Sequence, residues 1–146
     1  MERIKRNKWA LVLFISTIAI LVMYVVGIIT TFAGLESVKE TVREAAKQIE
    51  GATQDSIDLA VKLSEVVLIV GLVFEGIFTL FVVLCGLKCS MKGAWRLGAI
   101  IFGILITASQ FFGFFGKPTV AMTVTNVIAL IFSVGYLVGA CLSNKE

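Results

Sequence analysis

The chain has 146 residues, 58% hydrophobic and 16% charged, with a mean hydropathy of +0.99 and a net charge of +3. Soluble domains run nearer half apolar and a quarter charged, so the composition excludes an ordinary globular domain and points to a polytopic membrane protein. One Pro, no His and three Cys leave little material for a metal site, a disulfide framework or histidine-based acid–base chemistry.

Four apolar segments stand out, at 9–33, 65–87, 97–116 and 119–142. Each is close to the 20 or so helical residues that cross a bilayer. Open strands cannot cross lipid and the alternation of a barrel is missing. The expected fold is therefore all-α: a four-helix transmembrane bundle forming a single membrane domain over 1–146. About 50 residues lie outside these segments, too few for a sizeable soluble core.

The N-terminus, MERIKRNK, is basic. It resembles the first region of a signal peptide, but the apolar run after it is too long for one and is read as a retained span. The basic arm is short and abuts a membrane helix, so the expected partner is anionic lipid and not nucleic acid. Arg3, Lys5, Arg6, Lys8, Lys88, Lys92, Arg96 and Lys145 fall on one side of the four spans. Lys39, Arg43, Lys47, Lys62 and Lys117 fall on the other, with seven acids. The positive-inside rule then places both termini in the cytoplasm of an integral plasma or cytoplasmic membrane protein. Trp9 and Trp95 come to the inner interface, where amphipathic rings prefer to sit.

Between the first two spans, Leu35, Val38, Val42, Ala45, Ile49 and Ala52 recur in steps of three and four, an amphipathic outer helix over 35–50. Glu36–Lys39, Glu40–Arg43 and Glu44–Lys47 are spaced to pair along it. The chain breaks near Gly51, and Asp55 is the expected N-cap of an extension from 56 into the second span, where Asp58–Lys62 and Lys62–Glu65 are further pairs. This helical extracytoplasmic projection either forms a hairpin with the second span or lies on the membrane surface. The balanced charge favours the hairpin. The apolar stripe Leu35, Val38, Val42, Ala45 and Ile49 is a candidate partner surface, or it packs on its neighbour.

The third and fourth spans are joined by FFGFFGKPT, turning on Gly113, Gly116 and Pro118, with Pro in the first turn of the next helix. Phe111, Phe112, Phe114 and Phe115 read as packing or lipid anchors at the outer interface.

Within the spans the one interior charge is Glu75. A carboxylate there costs about 2.5–3.5 kcal/mol on insertion scales, so it must be neutral, paired or turned to a polar cavity. Every span carries a stripe of small or polar residues, the mark of helix contact in lipid. At about 1.5 Å per residue, Glu75 and Asn126 lie roughly 15 and 12 Å from the outer boundary, and Gln110 and Tyr24 roughly 8–10 Å. Tyr24, Glu75, Gln110 and Asn126, with Thr79 and Thr123, are the candidate intramembrane polar cluster. It serves either as hydrogen-bonded glue between helices or as a site for a proton or monovalent cation. Gly135 and Gly139, extended to Ser143, form a GxxxG partly off the Asn126 stripe, a candidate packing or oligomer face. Cys85, Cys89 and Cys141 fall on the inner side and read as reduced, inert thiols. No metal site or cofactor is expected.

No enzyme motif is present. The layout resembles that of tetraspanin-like and claudin-like scaffolds in architecture alone, since no Cys-bearing outer loop is present. The expected function is non-enzymatic: a small subunit, accessory or protective protein that self-associates or binds another membrane protein. The alternative is a small proton- or cation-linked channel or transporter using Glu75.

Overall fold

The computed structural model describes residues 2–112 and 120–143, apart from the side chains of 120–122. Residues 113–119, where a turn on Gly113, Gly116 and Pro118 and the facing limits of the third and fourth spans are expected, and Lys145 lie outside the described residues. The described chain is helical: α1 (Glu2–Arg6), α2 (Lys8–Lys47), α3 (Gln54–Lys92), α4 (Arg96–Phe112) and α5 (Val120–Leu142). Three helices are long and apolar enough to cross a membrane: α2, α3 and, over Thr123–Leu142, α5. The third apolar segment is described as the shorter α4 of 17 residues.

Residues 35–47 are not a separate helix. They continue α2, which runs unbroken for 40 residues, since Gly34 introduces no break and its surroundings are open. The helix ends where Gln48 and Ile49 turn back on the carbonyls of Ala45 and Ala46, and Gly51 follows with φ +83°. Such a left-handed turn favours glycine. The cap of α3 is Thr53, two residues before the expected Asp55. The Thr53 hydroxyl accepts the Ser56 N–H at 3.3 Å, and the Ser56 hydroxyl accepts the Thr53 N–H at 3.0 Å. This is a reciprocal capping box with Ser in the place of the usual Glu. Asp55 instead sits in the first turn, where its charge suits the helix dipole.

Contacts divide the chain into two compact units, residues 24–77 and residues 1–23 with 78–146. In the first, the facing parts of α2 and α3 make a helical hairpin. Ala46, Ile57 and Val61 are its buried apolar residues. Lys39 of α2 reaches Glu36 at 3.2 Å and, across the hairpin, Glu65 of α3 at 3.4 Å. None of the other expected ion pairs closes among the described residues, as solvated pairs bring little gain. The inward face of α2 is therefore 35–39–42–46. Val38, Ala45 and Ile49 of the expected stripe are exposed.

The second unit holds the core. Leu13 of α2, Val82, Cys85 and Cys89 of α3, Ala99 and Ile106 of α4, and Tyr136 and Ala140 of α5 form one buried cluster. Small residues set its spacing. Gly139 lies against the Leu13 backbone and Gly135 against Ser16, so α5 packs closely on α2. Gly103 meets Leu137, joining α4 to α5, and Phe102 of α4 packs edge-on to Phe78 and flat on Phe81 of α3. The α3–α4 turn places Gly93 at φ +70° and Trp95 at φ +61°, with the Lys88 ammonium 5.8 Å above the Trp95 ring.

Two outcomes test this packing. A Cβ at Gly139 would come within 2.8 Å of the Leu13 backbone nitrogen, whereas one at Gly27 would meet nothing within 4 Å. Gly139→Ala should therefore destabilise the chain by about 1–3 kcal/mol, and Gly27→Ala should be neutral or slightly stabilising, read by denaturant titration in detergent. The Glu36 hydrogen bond, helped by Glu65, raises the Lys39 pKa above its usual 10.5. The gain is thus complete below pH 10.5 and fades as pH rises through the raised value. Lys39→Gln should flatten the alkaline loss of hairpin stability seen in the parent chain.

Candidate functional site

The expected polar residues fall in both units. In the hairpin, the Tyr24 hydroxyl donates to the Leu72 carbonyl at 3.0 Å. Its ring tip lies where a Cβ on Gly76 would stand, so Gly76 is the residue that admits Tyr24 to α3. Tyr24 is thereby committed to backbone and does not hydrogen-bond Glu75. Glu75 is exposed, and among the described residues it makes no hydrogen bond or ion pair. One turn earlier, Gly71 is exposed with open space beside it. In the second unit Thr79 is buried, and Gln110, Thr123 and Asn126 are half-buried. No hydrogen bond joins Thr79, Gln110 and Asn126 among the described residues. The buried Thr107 hydroxyl has no partner there either.

Gly135, Gly139 and Ser143 are occupied within the chain. The two glycines face α2, and Ser143 is buried beside Cys89, with Ser Oγ and Cys Sγ 3.7 Å apart. Within the chain that stripe packs on α2 and beside Cys89. Cys85 and Cys89 are buried, Cys141 is half-buried, and all three are free thiols. No group of three metal-binding side chains gathers among the described residues.

A polar cluster at the basic end escaped the sequence reading. An α-helix leaves its last four carbonyls without intrahelical donors, and α3 and α5 end at one level. Arg3 bridges both ends, donating from Nη1 to the Cys89 carbonyl and from Nη2 to the Ser143 carbonyl, each at 2.7 Å. Asn7 adds a bond from Nδ2 to the Ser143 carbonyl at 2.9 Å. Its Oδ1 accepts the N–H groups of Trp9 and Ala10, so the same amide caps the start of α2. Arg96 donates to the Ala140 carbonyl at 3.2 Å and to the Cys141 carbonyl. Gly93 is tight against the Arg3 guanidinium. Hints lay in the sequence: arginines flanking helix ends that close on Gly93 and Ser143, and Asn7 immediately before the apolar run.

Tyr136 was also missed. It is fully buried, and its hydroxyl donates to the Val82 carbonyl at 2.7 Å. Gly86 makes the space, because a Cβ there would meet both Thr17 and the Tyr136 ring. Buried hydroxyls elsewhere in this unit return to their own helix, Thr17 to the Leu13 carbonyl and Ser133 to the Leu130 carbonyl. Tyr136, Thr17 and Ser133 thus spend their hydroxyls on backbone, while the buried Thr107 hydroxyl has no partner among the described residues.

Removing only the Tyr136 hydroxyl, Tyr136→Phe, should cost about 1 kcal/mol. Tyr136→Ala should cost about 3–5 kcal/mol by opening a cavity. Both are read from unfolding midpoints in mixed micelles.

In comparisons with known proteins, the chain matches no family model, no curated protein and no solved structure.

Proposed function

We propose that the chain is a non-enzymatic four-span membrane protein that serves as a subunit, accessory or protective component of a membrane assembly. In this reading α4 belongs to the third of the four spans and α5 to the fourth, and both termini are cytoplasmic. The eight basic residues assigned to that side support the orientation. The Arg3–Ser143 bond supports termini on one side, because it ties α1 to the end of α5. At about 1.5 Å per residue, α2 is about 60 Å long, twice the roughly 30 Å hydrocarbon thickness. That length supports a hairpin extending beyond the outer surface.

The observation that carries the functional reading is the free face around Glu75. In the unit of residues 1–23 and 78–146, the described glycines are in close contact with neighbouring side chains or backbone, and Arg3, Asn7, Arg96 and Tyr136 donate to helix carbonyls. In the hairpin, Gly27, Gly34 and Gly71 have open space beside them, and Glu75 is exposed with no partner among the described residues. Small residues in lipid allow close helix approach. An uncovered carboxyl at membrane depth is costly enough to need cover. A second copy or another membrane protein supplies both. The exposed Val38 of α2 and Ile49 in the turn after it, at 40% and 67%, extend the free surface.

Proton- or cation-linked transport through Glu75 is the second reading, favoured by the same lack of an internal partner. Two substitutions separate the readings. Gly71→Leu fills open space, so the single chain should fold unchanged while native mass in detergent shows at least a tenfold loss of the assembled form. Glu75→Gln keeps hydrogen bonding and should leave assembly intact. An assembly indifferent to Gly71→Leu, together with liposome flux that collapses in Glu75→Gln, would instead establish transport.

A further inference from the structure

The basic end carries a feature that neither helix packing nor assembly uses. Glu2, Arg3, Arg6 and Asn7 line an open recess of about 490 Å³. Its back wall is rigidly held: Arg3 is fixed by the Cys89 and Ser143 carbonyls, and Asn7 by Ser143 and by the first N–H groups of α2. Arg6 differs from them. It is exposed, and among the described residues its guanidinium has no hydrogen bond or ion pair. Glu2 is four residues before Arg6 on the same helix and is likewise unpaired, so the two do not neutralise each other.

Depth identifies the occupant. The apolar run of α2 begins at Trp9, two residues after Asn7. The recess is therefore at the edge of the hydrocarbon, at the level of lipid phosphates. Among the described residues the lining has two guanidinium groups and one carboxylate, and the guanidinium donors suit a phosphodiester monoanion. A guanidinium is a rigid fork suited to two phosphate oxygens at once. Asn7 has a second amide hydrogen beyond the one given to Ser143, and Glu2 offers an acceptor to a headgroup hydroxyl. Exposed Lys5, Lys8, Lys88 and Lys92 nearby in sequence or on α3 add a general attraction to anionic lipid, but they do not line the recess.

We infer that the recess lined by Glu2, Arg3, Arg6 and Asn7 is a binding site for the phosphate of an anionic phospholipid with a hydroxyl-bearing headgroup, with Arg6 as the pairing residue. The site holds for either orientation of the chain and is independent of the role given to Glu75. The fixed wall makes it a seat for one molecule, distinct from the diffuse attraction of a lysine-rich surface.

The test is native mass spectrometry of the full chain released from vesicles of phosphatidylcholine with one-fifth phosphatidylglycerol. The parent chain should retain one phosphatidylglycerol molecule in preference to phosphatidylcholine. Arg6→Gln should lower that occupancy at least fivefold, and Arg6→Lys, which keeps charge without the fork, should lower it less. Lys5→Gln, adjacent but outside the lining, should leave it unchanged, and unfolding midpoints should match the parent's for all three. Equal losses in Lys5→Gln and Arg6→Gln would overturn the built site in favour of diffuse attraction. Displacement of the lipid by 10 mM inorganic phosphate would overturn the lipid assignment in favour of a free anion. Absence of any preference for phosphatidylglycerol would overturn both.

Discussion

Helix ends are where a membrane protein is most exposed to unpaired backbone, because the last four carbonyls of each helix lack donors and lipid supplies none. In this chain local bonds such as Gly93 N–H to the Cys89 carbonyl are joined by side chains drawn from far away in sequence. Arg3 closes α3 and α5 together, Arg96 closes α5 again, and Asn7 joins α5 to the start of α2. A positive group at a helix C-terminus also suits the dipole. The first residues of the chain are thereby built into the bundle, and the packing of Leu13, Val82 and Tyr136 follows from the registry those bonds impose.

Glycine placement divides the molecule by use. Gly86, Gly103, Gly135 and Gly139 all stand where another helix or a tyrosine ring comes close, and Gly76 does the same for Tyr24 within the hairpin. Gly27, Gly34 and Gly71 stand beside open space. In water an idle glycine would weaken a helix. In lipid it keeps a surface narrow enough for another helix to approach. That contrast, together with the uncovered Glu75, is the physical basis for reading the chain as a component of something larger.

Hydropathy made the helices legible, and of the small-residue stripes Thr17, Gly86, Ala99 and Gly103 meet neighbours, whereas Gly27 and Gly71 stand beside open space. Phase was harder to read. The stripe through Val38, Ala45 and Ile49 had the right period, but the inward side of α2 runs through Lys39 and Ala46. A lysine satisfied by Glu36 and Glu65 does not register in an apolar pattern. The α3 cap escaped for a similar reason, since Thr53 and Ser56 make a capping box with hydroxyls alone. Arg3 and Arg96 were counted for topology, and their hydrogen bonds to carbonyls depend on three-dimensional adjacency that spacing cannot reveal. Tyr136 looked like one more apolar residue until its hydroxyl was seen to reach the backbone of α3.

Trp95 carries a trade-off. A side chain with a Cβ in the left-handed region costs about 1–2 kcal/mol relative to the right-handed helix, and glycine would remove that penalty. The indole and the Lys88 ammonium above it offer in return a broad, amphipathic float for the connection between α3 and α4. Under the four-span proposal the turn gives up conformational ease for a fixed height at the membrane interface, where a more relaxed loop would let both helices bob along the bilayer normal.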